Sequence, residues 1–362
     1  MSAMGIEFSE RIRRIPSYPV ASGYALPDDV ALMASNESPD PPLAAVVQAA
    51  QRALAGVNRY PDPSNAALKR ALSNRYGLPP ARIAIGNGSC DLLLAAGEAL
   101  LEPGAEIVHA WPSFSMYPHL AAASGATPVP VPLDGEDRHD LDALAGAVTV
   151  ATRMLIVCNP NNPTGTAVPA ARVAALLARV PPHVCVVVDE AYCEFNVLDD
   201  PDSTIDLLEA HPNLVLLRTF SKAYGLAGLR VGYGLCGSEA FRTAVDQVRQ
   251  PFFANVAAQA AAREALRHQD EVARRVELTV AARLQLEEGL RELGLAPAQS
   301  QANFVWFGLP EGADERAVVD ALGARKVLVR AGGSLGRERH LRVTCGTADQ
   351  NARFLAALRE SL

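Results

Sequence analysis

Apolar positions change their spacing along this chain, and the change divides it into elements. From residue 43 to 250, short β-rich runs alternate with longer stretches of helical period. Residues 43–55 (LAAVVQAAQRALA) and 64–76 repeat apolar positions at helical intervals, and Ser64 is placed to cap the second. Strands are expected at 82–86, 106–110, 127–132, 154–158, 183–189 and 214–219. A continuous apolar run such as VCVVV suits a sheet buried on both faces, which implies parallel strands covered by helices. The run 127–132 carries Pro128, Pro130 and Pro132, which leaves it either an edge strand or no strand. After Pro251 the character changes. Residues 256–293 read as one long helical stretch with Gly294 as its stop. Short strands at 303–307, 327–329 and 341–344 then alternate with helices, the last at 348–358. The fold class expected is α/β, a mostly parallel central sheet covered by helices, plus a smaller α+β domain.

Composition narrows the classes. Of 362 residues, 49 % are apolar and 20 % charged, which excludes a disordered chain. The formal charge of −7 argues against nucleic acid as a partner, because such proteins present a strongly basic face. It leaves room for a small anion held by a few local cations. The start, MSAMGIEFSERIRRIP, lacks a secretory apolar stretch, and no run approaches the roughly 20 apolar residues that span a bilayer. The six cysteines are scattered without C-x-x-C or His-Cys spacing, so neither a disulfide framework nor a metal site is expected. A cytoplasmic setting with no membrane partner follows as the expectation.

Ligands of open α/β sheets gather at the carboxyl ends of strands. Beyond residues 82–86 lies Asn87-Gly88-Ser89-Cys90-Asp91, where a glycine turn opens a helix whose free N–H groups suit an anion. The strand 183–189 ends on Asp189, then Glu190-Ala191-Tyr192; a carboxylate there is costly unless a cation or proton donor meets it. The strand 214–219 runs into Thr219, Ser221, Lys222 and, eight residues past the lysine, Arg230. A lysine on such an apolar, glycine-bearing turn can be desolvated and nucleophilic. The strand 154–158 leads into Asn159-Pro160-Asn161-Asn162-Pro163-Thr164-Gly165, a rigid turn presenting an amide. A buried acid, a tuned lysine, an anion-gripping turn and an amide together are what pyridoxal 5′-phosphate requires.

The ordered blocks NPNNPTG, DEAY and RTFSKAYGLAGLRVGY resemble the fold-type I pyridoxal-phosphate aminotransferases, and within them the histidinol-phosphate aminotransferase branch. The similarity extends from ASNESPDPP and NRYPDP to SQANFVWF and LRVTCGT. It implies an N-terminal arm over 1–42 packing with the small domain, a large cofactor-binding domain over 43–255 and a small domain over 256–362. Carried over by position, Lys222 is the Schiff-base lysine and proton shuttle, and Asp189 meets the pyridine nitrogen. Tyr192 and Asn162 contact the ring's phenolic oxygen, and Phe114 stacks on the ring. Thr219, Ser221 and Arg230 hold the phosphate with the backbone of Ser89 and Cys90. Tyr60 reaches the phosphate in a partner subunit, which implies a homodimer. Arg330 and Arg342 receive the substrate's anionic end, and Tyr18 and Asn36 help close the site. The reaction implied is amino transfer from histidinol phosphate to 2-oxoglutarate, in histidine biosynthesis. An aromatic amino acid such as phenylalanine is the alternative donor, and a threonine-phosphate decarboxylase-like activity is a further relative.

Without the resemblance, Tyr18 and Tyr60 read as packing aromatics, Asn36 and Asn303 as caps, Arg330 as a surface cation and Arg342 as part of a solvated strand face. His109, His119 and His183 fit no triad or metal spacing and read as structural. The chain also departs from the branch: Phe114 stands where many relatives carry tyrosine, and Gln250-Pro251-Phe252-Phe253 carries an extra aromatic. If that aromatic lines the pocket, an apolar ring is favoured over an imidazole. A catalytically silent binding protein on this scaffold is the alternative from another class, and the intact Lys222, Asp189 and Arg230 argue against it.

Overall fold

The computed structural model describes residues 6–8, 13, 15 and 29–362. Its strands are β1 (Ala31–Leu32), β2 (Ile83–Gly86), β3 (Glu106–Trp111), β4 (Thr127–Pro132), β5 (Thr152–Cys158), β6 (Cys185–Asp189), β7 (Leu214–Thr219), β8 (Gly232–Cys236), β9 (Phe304–Gly308), β10 (Val327–Leu328), β11 (Arg330–Ala331) and β12 (His340–Thr344). The helices that bear on the site are α1 (Ala44–Leu54), α2 (Ala66–Tyr76), α3 (Ser89–Leu100), α4 (Met116–Ser124), α5 (Val256–Ala265) and α6 (Gln269–Glu292).

A seven-stranded sheet runs in the order β2-β8-β7-β6-β5-β3-β4. Pairs from β7 through β4 are parallel, and β8 runs antiparallel to both its neighbours. Every residue of β6 and β7 is buried, as the unbroken apolar runs require of strands covered on both faces. Each such valine or leucine contributes roughly 1.5–3 kcal/mol on leaving water. The proline-rich run forms β4, at the sheet's edge. Thr127 gives its N–H inward to Ala105 at 2.9 Å, so the alternating prolines take the positions whose N–H would face outward.

A three-stranded antiparallel sheet, β11-β12-β9, forms a second layer with its own core, in which Val305, Phe307, Leu341 and Val343 meet Leu286 and Leu290 of α6. Ala31 and Met33 join this core, and β1 pairs with β10. Helix α5 packs back instead on the large sheet's side, where Ala258, Ala261 and Ala262 share a cluster with Val46 of α1.

Several local expectations are corrected. Ser64 does not cap α2; Asp62 takes its N–H and hydroxyl, and the N–H of Ala66, and Asn65 precedes the helix with φ 52°. The stretch 256–293 is two helices broken at 266–268, with Asn255 capping α5 through the N–H of Ala258 at 2.7 Å. Strand β8 was not expected, because its sequence GYGLC is diluted by glycine. Gly232 is required there: a Cβ would lie 2.6 Å from the Ser89 nitrogen, so only glycine lets β8 pass the start of α3.

Candidate active site

The carboxyl ends of β5, β6 and β7 open onto a cavity of about 520 Å³, walled on the other side by β11, β12 and residues 34–37. Asn36, Ser89, Cys90, Phe114, Asn162, Asp189, Tyr192, Thr219, Ser221, Lys222, Arg230, Arg330 and Arg342 all line it. Tyr60 does not: it is 81 % exposed and stacks on Phe252 with ring centroids 4.6 Å apart. Phe252 and Phe253 are likewise outside this chain's cavity, so the premise on which they would favour an apolar ring is not met within one chain. Tyr18 lies outside the described residues.

Strand alternation separates the two acids at the end of β6. Glu190 turns to the opposite side and pairs with buried Arg218 at 2.7 Å, while Thr204 also donates to it. Asp189 faces the cavity, 3 % exposed, with no ion pair among the described residues. Its Oδ2 accepts from the Tyr117 hydroxyl at 3.0 Å and its Oδ1 from the Ala191 N–H at 3.3 Å. Burial pushes its pKa up to about 6, against those two donors. The sequence reading missed Tyr117. The available signal was its place three residues after Phe114 at the start of α4, which puts both side chains at one end of the helix.

Lys222 follows β7 and donates from Nζ to the Ser35 carbonyl at 3.2 Å. Burial, then the charge of Arg342, lowers its pKa to about 8, within reach of a neutral amine. Tyr192 lies beside it, Nζ being 5.8 Å from the ring centre. The Tyr192 hydroxyl accepts from Asn36 Nδ2 at 3.0 Å, which leaves its own proton free to be donated. Asn36 is held with φ 55° by Thr344, which accepts its N–H at 2.9 Å. Its side chain is thus spent within the protein, on Tyr192 and Thr344.

Arg342 is no solvated residue. It is 6 % exposed, its guanidinium 5.4 Å from the Phe304 ring centre, and it donates to Asn162 Oδ1 at 2.5 Å and to the Ala34 carbonyl at 2.6 Å. Arg330 sits directly across from it in the β11–β12 register, half-buried. At the other end of the cavity, Arg230 donates to the Ala227 carbonyl at 2.9 Å and lies 3.5 Å from Ser221 Oγ, beside Thr219 and the start of α3. Gly88 keeps this corner open, since a Cβ there would lie 2.8 Å from Arg230 Nη2.

Residues 28–358 match the family described as aminotransferase class I and II. This chain belongs to that family. The aminotransferase is 45 % identical over 349 residues to an aromatic amino acid aminotransferase of Thermobifida fusca, covering 95 % of this chain and 94 % of that one. It is 44 % identical over 331 residues to histidinol-phosphate aminotransferase 2 of Ralstonia nicotianae, covering 91 % and 88 %. Its fold superimposes on histidinol-phosphate aminotransferase of Sinorhizobium meliloti, solved in complex with pyridoxal 5′-phosphate, with a TM-score of 0.88 and 32 % identity over 99 % and 98 % of the two chains. The fold is therefore fold type I, and pyridoxal 5′-phosphate is the cofactor. The residues present fit that group: a buried carboxylate on the cavity wall with no ion pair among the described residues, and a glycine-kept corner of hydroxyls, helix N–H groups and a guanidinium.

Proposed function

We propose that this aminotransferase moves the amino group of histidinol phosphate to 2-oxoglutarate. The observation that carries the reading is the pair Arg330 and Arg342, in register on neighbouring strands and both lining the cavity. Like charges placed opposite one another repel, and an anion between them removes that cost. Two guanidinium forks suit a phosphate or a carboxylate. Phenylalanine or a related aromatic amino acid is the second reading, favoured by Phe114 and Leu335 on the cavity wall, which offer a ring no polar partner.

Bound pyridoxal phosphate would supply an electron sink and a carbonyl carbon able to carry the amino group. Asp189 would keep the ring nitrogen protonated, and Tyr192 and Asn162 would donate to the phenolic oxygen. The Asn162 amide nitrogen makes no hydrogen bond among the described residues, since Arg342 is held by Oδ1. Thr219, Ser221, Arg230 and the N–H groups at the start of α3 would hold the phosphate. Phe114 would lie against the ring, and Lys222 Nζ would take and return the donor's Cα proton. Exposed Tyr60, with Phe252 stacked on it, would serve the neighbouring subunit of a homodimer. All six cysteines are free, five of them buried, which supports a reducing, cytoplasmic setting.

The test is a half-reaction with each donor alone, following loss of the bound cofactor's visible absorbance. Faster loss with histidinol phosphate than with phenylalanine or tyrosine supports the first reading; the reverse order replaces it with the second. Carbon dioxide release from threonine phosphate would replace both.

A further inference from the structure

What faces Asp189 decides whether it can stay ionised so far from water. Among the described residues Oδ1 has only a long contact with a backbone N–H, that of Ala191 at 3.3 Å. Oδ2 has the Tyr117 hydroxyl at 3.0 Å. Cys158 beside it stays a neutral thiol, its pKa pushed up to about 12 by burial, and Glu190 is turned away to Arg218. Tyr117 itself is fully enclosed. Its ring meets Phe114 edge to face at 5.7 Å and His109 at 6.0 Å. Those contacts need the ring alone; phenylalanine would make them equally well. The hydroxyl donates to the carboxylate, with the neutral Cys158 thiol as its other neighbour.

We propose that Tyr117 is a positioning residue: its hydroxyl holds the Asp189 carboxylate ionised and aimed at the cavity, and so sets how strongly the site prefers a ring whose nitrogen carries a proton. The inference rests on the reading that Asp189 meets that nitrogen. A donor to a carboxylate stabilises the charged form, whereas burial alone favours the neutral one. Without the hydroxyl, Oδ2 keeps no strong donor among the described residues, and a neutral Asp189 discriminates poorly between nitrogen and carbon at the facing ring position.

The experiment uses the full chain freed of cofactor and measures binding of pyridoxamine 5′-phosphate and of its analogue with carbon in place of the ring nitrogen. Neither ligand needs turnover or Lys222. Wild type is expected to prefer the nitrogen ring. Tyr117→Phe should shrink that preference by roughly tenfold or more, the scale of a hydrogen bond to a charged group, while changing affinity for the carbon analogue by less than about twofold. Replacing Tyr117 by 4-aminophenylalanine, which keeps a weaker donor in the same shape, should give an intermediate preference. An undiminished preference in both variants overturns the proposal and leaves the Asp189 reading intact. Equal loss of both ligands in Tyr117→Phe also overturns it, by showing a packing role. A wild type indifferent to the nitrogen overturns the Asp189 reading and this inference with it.

Discussion

Arg342 and Asn162 join the two sheets: Nη1 of the arginine, on β12, donates at 2.5 Å to the amide oxygen of the asparagine, in the turn after β5. The same guanidinium donates to the Ala34 carbonyl at 2.6 Å, so its plane is fixed before any substrate arrives. On the proposed reading, a guanidinium so fixed meets an anion in one orientation. Lysine cannot do this, since one ammonium lacks the planar set of donors. Arg342→Lys is expected to raise KM for both the amino donor and the keto-acid acceptor by on the order of 100-fold, with a smaller loss of kcat. Steady-state kinetics with each substrate varied in turn checks this. An unchanged KM would show that the anion is held elsewhere.

Arg342 also acts on Lys222 at a distance. Its charge follows burial among the causes that bring the Lys222 pKa down to about 8 from 10.5. Capture of an aldehyde needs the neutral amine, so the rate of cofactor uptake by the apoprotein should rise with pH through about 8. Removing the positive neighbour favours the ammonium, so in Arg342→Gln the midpoint should move upward. Lys222→Ala should abolish multiple turnover while still binding the cofactor. A midpoint in Arg342→Gln that stays put would mean burial alone sets the lysine.

Asp189 should trade stability for chemistry. Its folded pKa, about 6, lies above the ordinary value of 3.8, so the apoprotein holds a proton that the unfolded chain has already released between those pH values. Stability therefore falls as pH rises through that window, and the full penalty is present above about 6. It is of order 3 kcal/mol. Asp189→Asn should make the apoprotein more stable at pH 7 by up to about that much, with the gain gone below about pH 4, as denaturant melts at the two pH values would show. On the proposed reading the same variant should lose several orders of magnitude in amino transfer, because an amide in that place would not keep the ring nitrogen protonated.

The sheet was legible where burial speaks through composition. VCVVV at β6 and LVLLRT at β7 admit little besides strands covered on both faces, and the alternate prolines of β4 already leave it the edge as its one place in a sheet. β8 was not legible, because Gly232 and Gly234 are chosen for the close passage of neighbours, which a linear reading registers only as strand dilution. The cavity residues were legible as a set because the strand ends gather them. Tyr117 was not, since 72 positions separate it from Asp189 and only the βα crossover brings them together. Phe252 shows the converse: aromatic character suggested a pocket wall, yet its backbone, at φ 62°, sets the ring against Tyr60 on the surface.

Gly88 offers a test of Arg230 that leaves the arginine itself in place. At φ +80° an alanine is strained, and its Cβ would lie 2.8 Å from Arg230 Nη2. The backbone at the start of α3 is tied down, for Asp91 accepts the Asn87 N–H at 2.9 Å and pairs with Arg249. The guanidinium, at the far end of a long side chain, must therefore give way, out of the corner where the phosphate would sit. Gly77, at φ +70° with nothing within 4 Å of a Cβ, supplies the control. Gly77→Ala should lose roughly 1–2 kcal/mol of stability to its left-handed backbone, and Gly88→Ala, at φ 80° and ψ 168° in a region that is essentially glycine's own, about 1–3 kcal/mol. Only Gly88→Ala should also weaken pyridoxal phosphate binding, by about 10- to 100-fold if one charge-assisted contact is lost. Equal cofactor affinity in the two variants would remove Arg230 from the phosphate site.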